Sequence, residues 1–438
     1  MDAPLFFEQA SLLWGIPFAG FLLTLALMPL RAPQLWHKYD AFIVCGFCGS
    51  IILPLLFSLG ASSAYTLVTK TLTHHYLPFI ILLSTLFIVC GGIHITSTGT
   101  LSPLGNTIFL GIGSLLSSII GTTGASILLI RPFLELNHNR YGRKHLVIFF
   151  ILTLSNLGGM LTPIGDPPLF LGFLNGADFF WPLHFLSQPF FIIMIPLLFL
   201  FYCVDRFFLK KHHKQDDFTP RTVLPKGMRI YGKRNILFLI GVVGVVIASG
   251  IKPDLFGRLR DLFLISMCLT AYLLTPSSIR YMNRFSFEPL REVLLVSLAI
   301  FMTLIPIEGM LHAGDKGTLD TIISLAHPGG VPDPFRYYMI CGLLSSFLDN
   351  APTYLLFFHM AGSDASVLMT AQQSLLQAIS ISAVAFGAMT YIGNAPNLMI
   401  KAIAERHHVK MPSFFGYMGW SIVCLFPLLL GIGLIYFK

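Results

Sequence analysis

The chain has 438 residues, of which 55% are apolar and 11% charged, and its mean hydropathy is +0.76. A soluble domain carries roughly 25% charged residues, so the composition excludes a water-soluble protein and reads as a multi-pass integral membrane protein. The net charge of +8 is no nucleic-acid signal, because the bases fall in short loops between apolar runs, as the positive-inside rule expects.

A helix needs about 20 apolar residues to cross the hydrocarbon core. Residues 10–30 are the first such run. Met1–Gln9 before it hold two acids and no base, unlike the basic start of a cleaved signal peptide, so 10–30 is read as the first membrane helix. Runs 41–60 and 77–96 complete an N-terminal scaffold unit, 1–97. Cys45 and Cys48 form a C-x-x-C within the second run. With no second pair or His cluster beside them, they read as small packing residues.

The unit 98–204 follows. An apolar approach, 106–120, leads to the polar turn Gly121-Thr122-Thr123-Gly124, and Ile127–Ile130 returns. Each arm is too short to cross a bilayer at ~1.5 Å per helical residue, so 104–135 is expected to be a re-entrant hairpin. The helix 146–170 is then broken from Ser155-Asn156-Leu157-Gly158-Gly159 through Pro168, and 185–204 spans again. A basic loop, 205–235, divides the chain. Two scaffold spans, 236–251 and 262–276, lie in the unit 236–291. The unit 292–438 holds the span 292–311, a second hairpin (335–360) with its tip at Asp349-Asn350-Ala351-Pro352, a second broken helix (370–400) and a last span, 415–437.

The two outer units repeat each other at an offset of 228. Leu115-Leu116-Ser117-Ser118 returns as Leu343-Leu344-Ser345-Ser346, and Thr162-Pro163-Ile164-Gly165-Asp166-Pro167-Pro168 as Thr390-Tyr391-Ile392-Gly393-Asn394-Ala395-Pro396. Counting spans between the copies makes the repeat inverted. The expected fold is therefore all-α, with about ten transmembrane helices, two re-entrant hairpins and two discontinuous helices. Unwound backbone in lipid is tolerated only where it is buried in protein or lines a wet cavity, and paired helix breaks mark the substrate site of secondary transporters.

The polar groups at those breaks are the candidate site: Asp166 and Asn394 in the broken helices, Thr122, Thr123, Asp349 and Asn350 at the tips, with Ser155, Asn156, Thr162 and Thr390 beside them. If each tip faces the break of its own half, there are two pockets, Thr122/Thr123 with Asp166 and Asp349/Asn350 with Asn394, each holding one acid among neutral oxygens. A buried carboxylate is costly at bilayer depth and favours its neutral form. It can exchange a proton for a hard cation, which makes Asp166 and Asp349 the expected ligands of a transported Na⁺. Arg131 and Lys401 read as snorkelling anchors. Glu308 reads as an interfacial acid or a proton relay. Ser117, Ser118, Ser345 and Ser346 serve close packing or line the site.

The run Ser155–Pro168 resembles the S-N-I-G-G-x-x-T-x-I-G-D-P-P-N signature of the ion-transporter superfamily, in particular the NhaD-type sodium/proton antiporters and arsenite permeases, with Leu169 where Asn is usual. Ser346-x-x-Asp349-Asn350-x-Pro352 resembles their S-x-x-D-N-x-P element. The resemblance covers roughly 90–200 and 290–437. It implies a homodimer of elevator type in a bacterial cytoplasmic membrane, with cation-binding roles for Asp349 and Asn350 and no cofactor. Three functions follow as expectations: Na⁺ (or Li⁺)/H⁺ antiport, sodium-coupled symport of a di- or tricarboxylate such as citrate, or export of arsenite or another anion. No nucleophile–base pair or nucleotide-binding glycine loop points to an enzyme.

Overall fold

Within lipid a chain must satisfy its backbone N–H and C=O groups internally, and the apolar runs accordingly become helices. The computed structural model describes residues 6–7, 10–140, 142–212, 226–312 and 318–438. It is an all-α membrane protein with one short β-ribbon. Among the described residues, six helices are long and apolar enough to cross a bilayer, or seven if Phe414–Cys424 and Phe426–Tyr436, bent by 45° at Leu425, count as one span.

The chain opens with α1 (Ile16–Arg31) and α2 (Pro33–Leu59). Next come α3 (Ala61–Lys70), a π-helical turn (Thr71–Tyr76) and α4 (Leu77–Gly91), which run on as one long apolar span, Ala61–Gly91. The stretch 61–76, left unassigned from sequence, is thus helical, whereas the run 77–96 does not stay helical to its end. It stops at Gly91, where Asn283 Nδ2 donates to the carbonyls of Gly91 and Ile93 and Asn235 Nδ2 to that of Gly92. Beyond it β1 (His94–Thr98) pairs antiparallel with β2 (Lys226–Tyr231), with His94 opposite Tyr231.

The first repeat comprises α5 (Pro103–Ile120), α6 (Thr122–Glu135), α7 (Lys144–Thr153) and α8 (Pro167–Leu174). Ser102 caps α5 by accepting from Gly105 N, and Pro103 fits its first turn. Gly121 separates α5 from α6 at φ +82°, with Ile164 O 3.3 Å from where a Cβ would stand, so the corner favours glycine on two counts. The span α9 (Trp181–His212) continues well past residue 204. The basic loop is correspondingly shorter than 205–235: β2 occupies part of it, and residues 213–225, with Lys214 and Arg221, lie outside the described residues.

Asp205, on α9, explains the longer helix. It is fully buried and paired with Arg140, with His145 Nε2 at 3.0 Å and Asn106 Nδ2 donating at 2.9 Å. This network ties α9 to the start of α5, the α6–α7 connection and α7.

The chain continues through α10 (Lys233–Ile251), α11 (Arg258–Leu274), α12 (Ser277–Met282), α13 (Glu288–His312) and α14 (Asp320–Ala326). The second repeat holds α15 (Pro334–Phe347), α16 (Asn350–Met360), α17 (Ala365–Met369), α18 (Gln373–Phe386) and α19 (Ala395–Arg406). Asp333 caps α15 as Ser102 caps α5. The last predicted span is two helices, α20 (Phe414–Cys424) and α21 (Phe426–Tyr436). Packing between the repeats is reciprocal: α6 lies against α19, and α16 against α8.

Candidate ion and substrate site

Both predicted breaks are present. After α7 a single 3₁₀ turn (Leu157–Gly159) is followed by non-helical chain to Pro167; after α18 another (Gly387–Met389) is followed by non-helical chain to Ala395. Two glycines fold each break back on itself. A Cβ on Gly165 would stand 2.2 Å from Gly159 O, and one on Gly393 2.6 Å from Gly387 O, so both crossings require the bare backbone.

The freed carbonyls are taken up by side chains, as buried backbone demands. Thr162 Oγ1 donates to Ser118 O, and its repeat counterpart Thr390 Oγ1 to Ser346 O at 2.5 Å. Ser118 Oγ donates to Gly158 O. In the second break, Asn397 Nδ2 donates to Gly387 O and Thr390 O, Tyr417 OH to Ala388 O and Ser421 Oγ to Met389 O. Thr162, Thr390 and Ser118 therefore hold the breaks in shape, whereas Ser117 and Ser346 donate to Gly113 O and Gly342 O of their own helices and Ser345 to Ala383 O of α18.

The two expected pockets are one. Thr122 Oγ1 donates to Asp166 Oδ1 at 2.9 Å, as its own-half pairing requires, but Asn350 Nδ2 donates to Asp166 Oδ2 at 2.5 Å across the two halves. Thr122 and Asn350 are repeat counterparts, 228 positions apart, and they hold the two oxygens of one carboxylate. Asn394 and Asp349 both lie within electrostatic reach of the same carboxylate. The expectation failed because it paired each tip with its own break, whereas the reciprocal packing of α16 on α8 brings the second tip to the first break.

Asp166 is 1% exposed and precedes α8; Asn394 is buried and precedes α19; Asp349 is half-buried and accepts from Asn350 N at 3.1 Å at the start of α16. Thr122 opens α6. Four helix N-termini thus meet at Asp166, and each carries partial positive charge. Among the described residues, no lysine, arginine or histidine bonds this carboxylate. Asn350 Oδ1 is buried and accepts no hydrogen bond.

Asn156 lies one layer out. Its Oδ1 accepts from Asn394 Nδ2 at 3.1 Å, and its Nδ2 donates to Asn397 Oδ1 at 2.8 Å. Ser155 Oγ meets Ser126 Oγ at 2.7 Å. Asn397 was missed from sequence, although it stands 228 positions after Leu169. The asparagine usual after D-P-P is absent from the first copy and present in the second, a signal that aligning one residue further would have caught. Arg131 is not a plain snorkelling anchor, since its Nη1 is buried without a hydrogen-bond partner. Lys401 Nζ lies 3.8 Å from Glu405 and above the ring of Tyr391.

Thr122, Thr123 and Asp166 face a cavity of about 30 Å³, walled by Phe79, Leu82 and Leu86 of α4. That is room for about two waters or a small ion. No curated protein matches the chain in sequence. The family model described as "Putative citrate transport" matches residues 7–437, nearly the whole length, and the chain belongs to that family of transporters.

Proposed function

We propose that the chain is a cation-coupled secondary transporter in which Na⁺ or Li⁺ and a proton compete for the Asp166–Asp349 site. The observation that carries this reading is Asn350 Oδ1. A buried acceptor left unsatisfied costs about 1–3 kcal/mol, and here it adjoins a carboxylate already held by two donors. A hard cation takes carboxylate, amide and hydroxyl oxygens together, and Asp166, Asp349, Asn350 Oδ1 and Thr122 supply all three types. Protonating Asp166 removes the charge that draws the cation, so the two ligands exclude each other. The small cavity supports an ion rather than a large bare substrate.

The family match favours a second reading at the same site, symport of a di- or tricarboxylate with the cation. Two acids repel a bare polyanion. A bound cation reverses that local charge, and the four helix N-termini then offer N–H groups to substrate carboxylates. In this reading Asn394, Asn156 and Asn397 order the breaks, and α4 forms the wall past which the site opens.

We infer a matching architecture: ten spans and two re-entrant hairpins in inverted repeats, a scaffold that includes 1–97 and 236–291, and a homodimer in a bacterial cytoplasmic membrane whose hairpins (104–135, 335–360) and broken helices (146–170, 370–400) move as an elevator. Reconstituted proteoliposomes test the function. Cation-driven proton movement without citrate, abolished in Asp349→Asn and Asp166→Asn, supports exchange. Citrate uptake that requires the cation and is abolished by the same substitutions supports symport. Wild-type flux in both variants overturns the assignment of the site.

A further inference from the structure

A second set of titratable groups lies away from Asp166, on the seam where α13 packs against both α16 and the π-helical turn. Glu308 Oε1 on α13 lies 3.1 Å from His359 Nε2 on α16. The other ring nitrogen, His359 Nδ1, lies 2.9 Å from Ser363 Oγ, which orients the imidazole toward the acid. His75, on the π turn, feels both Glu308 and His359, and its Nδ1 is buried without a hydrogen-bond partner. Lys70 and His74 are the other charged or titratable groups acting on His75. The His359 side chain is 5% exposed and that of Glu308 28%.

A buried ion pair contributes little net stability compared with apolar packing, so stability alone does not account for this one. Its position does. α16 begins at Asn350, the Asp166 donor, and ends at Met360, one residue beyond His359. One end of this helix therefore holds the cation site and the other holds the pair. The π turn, an insertion that often marks functional sites, brings His75 within electrostatic reach of the pair.

We propose that Glu308 and His359 form a proton-binding site separate from the cation site, in which a proton held between them locks α16 against α13. The inference rests on the transport reading above, in which α16 moves. The sign follows from the charges. The lock is strongest where Glu308 is ionised and His359 protonated. It weakens when His359 loses its proton.

The first test reads protonation without transport. In purified, detergent-solubilised full-length protein labelled at histidine Cε1, the resonance lost in His359→Gln identifies His359. Its titration midpoint in Glu308→Gln is expected to fall by about one pH unit, because the ionised partner is gone. An unchanged midpoint overturns the proposal. The second test is the pH profile of flux in proteoliposomes. Glu308→Gln and His359→Gln should each raise flux on the order of 10-fold at the pH where wild type is most locked, and the double variant should do no more than either. Wild-type profiles in both overturn the lock. If Asp349→Asn instead retains flux while the His359 midpoint still shifts, the cation-site reading fails and the proton site stands.

Discussion

Replacing Thr122 by Val and Asn350 by Leu removes the donors to Asp166 one at a time while nearly conserving volume. Each donor bonds one carboxylate oxygen, at 2.9 and 2.5 Å, and Asp166 is 1% exposed, so each substitution removes a buried bond to a charged group. A hydrogen bond to a charged group contributes about 1.5–3 kcal/mol, and 1.4 kcal/mol is tenfold in an equilibrium constant. Either substitution should therefore raise the half-saturating cation concentration roughly 10- to 100-fold. Asn350→Leu should cost more, because it also removes Oδ1, the unsatisfied acceptor. The ionised carboxylate loses a donor that its neutral form needs less, so protons compete better and the working range should move to higher pH. Cation titrations of flux in proteoliposomes at several pH values measure both effects. Wild-type cation dependence in the two variants would refute the role given to Asp166 and to the joint site.

Two further outcomes bear on the scaffold around the site. Gly393→Ala places a methyl 2.6 Å from Gly387 O, an overpacking expected to cost about 1–3 kcal/mol or more, seen as a lower Tm in detergent together with lost flux. Asp205→Asn leaves the buried Arg140 guanidinium without its counter-charge, a loss of about 3–5 kcal/mol. It should lower Tm while the half-saturating cation concentration of the protein that remains folded stays at the wild-type value.

Much of the site was legible because its signals are local. A polar Ser/Thr/Gly/Asn/Pro run inside apolar sequence breaks a helix wherever it sits, and both breaks lie where the repeat put them. At the two expected tips Gly121 sits at φ +82° and a helix starts at Asn350. The β-ribbon was not legible. Its start, His94–Thr96, falls within the run read as 77–96, and what ends the helix before it is the pair of distant asparagines Asn235 and Asn283. The buried role of Asp205 was equally hidden, since its partners Asn106, Arg140 and His145 come from other elements and its neighbours in sequence resemble a loop entrance.

The sequence alone determined that the chain is a helical membrane protein, where its helices break, and which acids and amides stand at the breaks, because hydropathy and helix-breaking act over a few residues. Only the tertiary structure decided that the two breaks make one site. Thr122 and Asn350 meet at Asp166 because α6 packs on α19 and α16 on α8, and an exchange of partners between two similar halves leaves no mark on the local pattern of either.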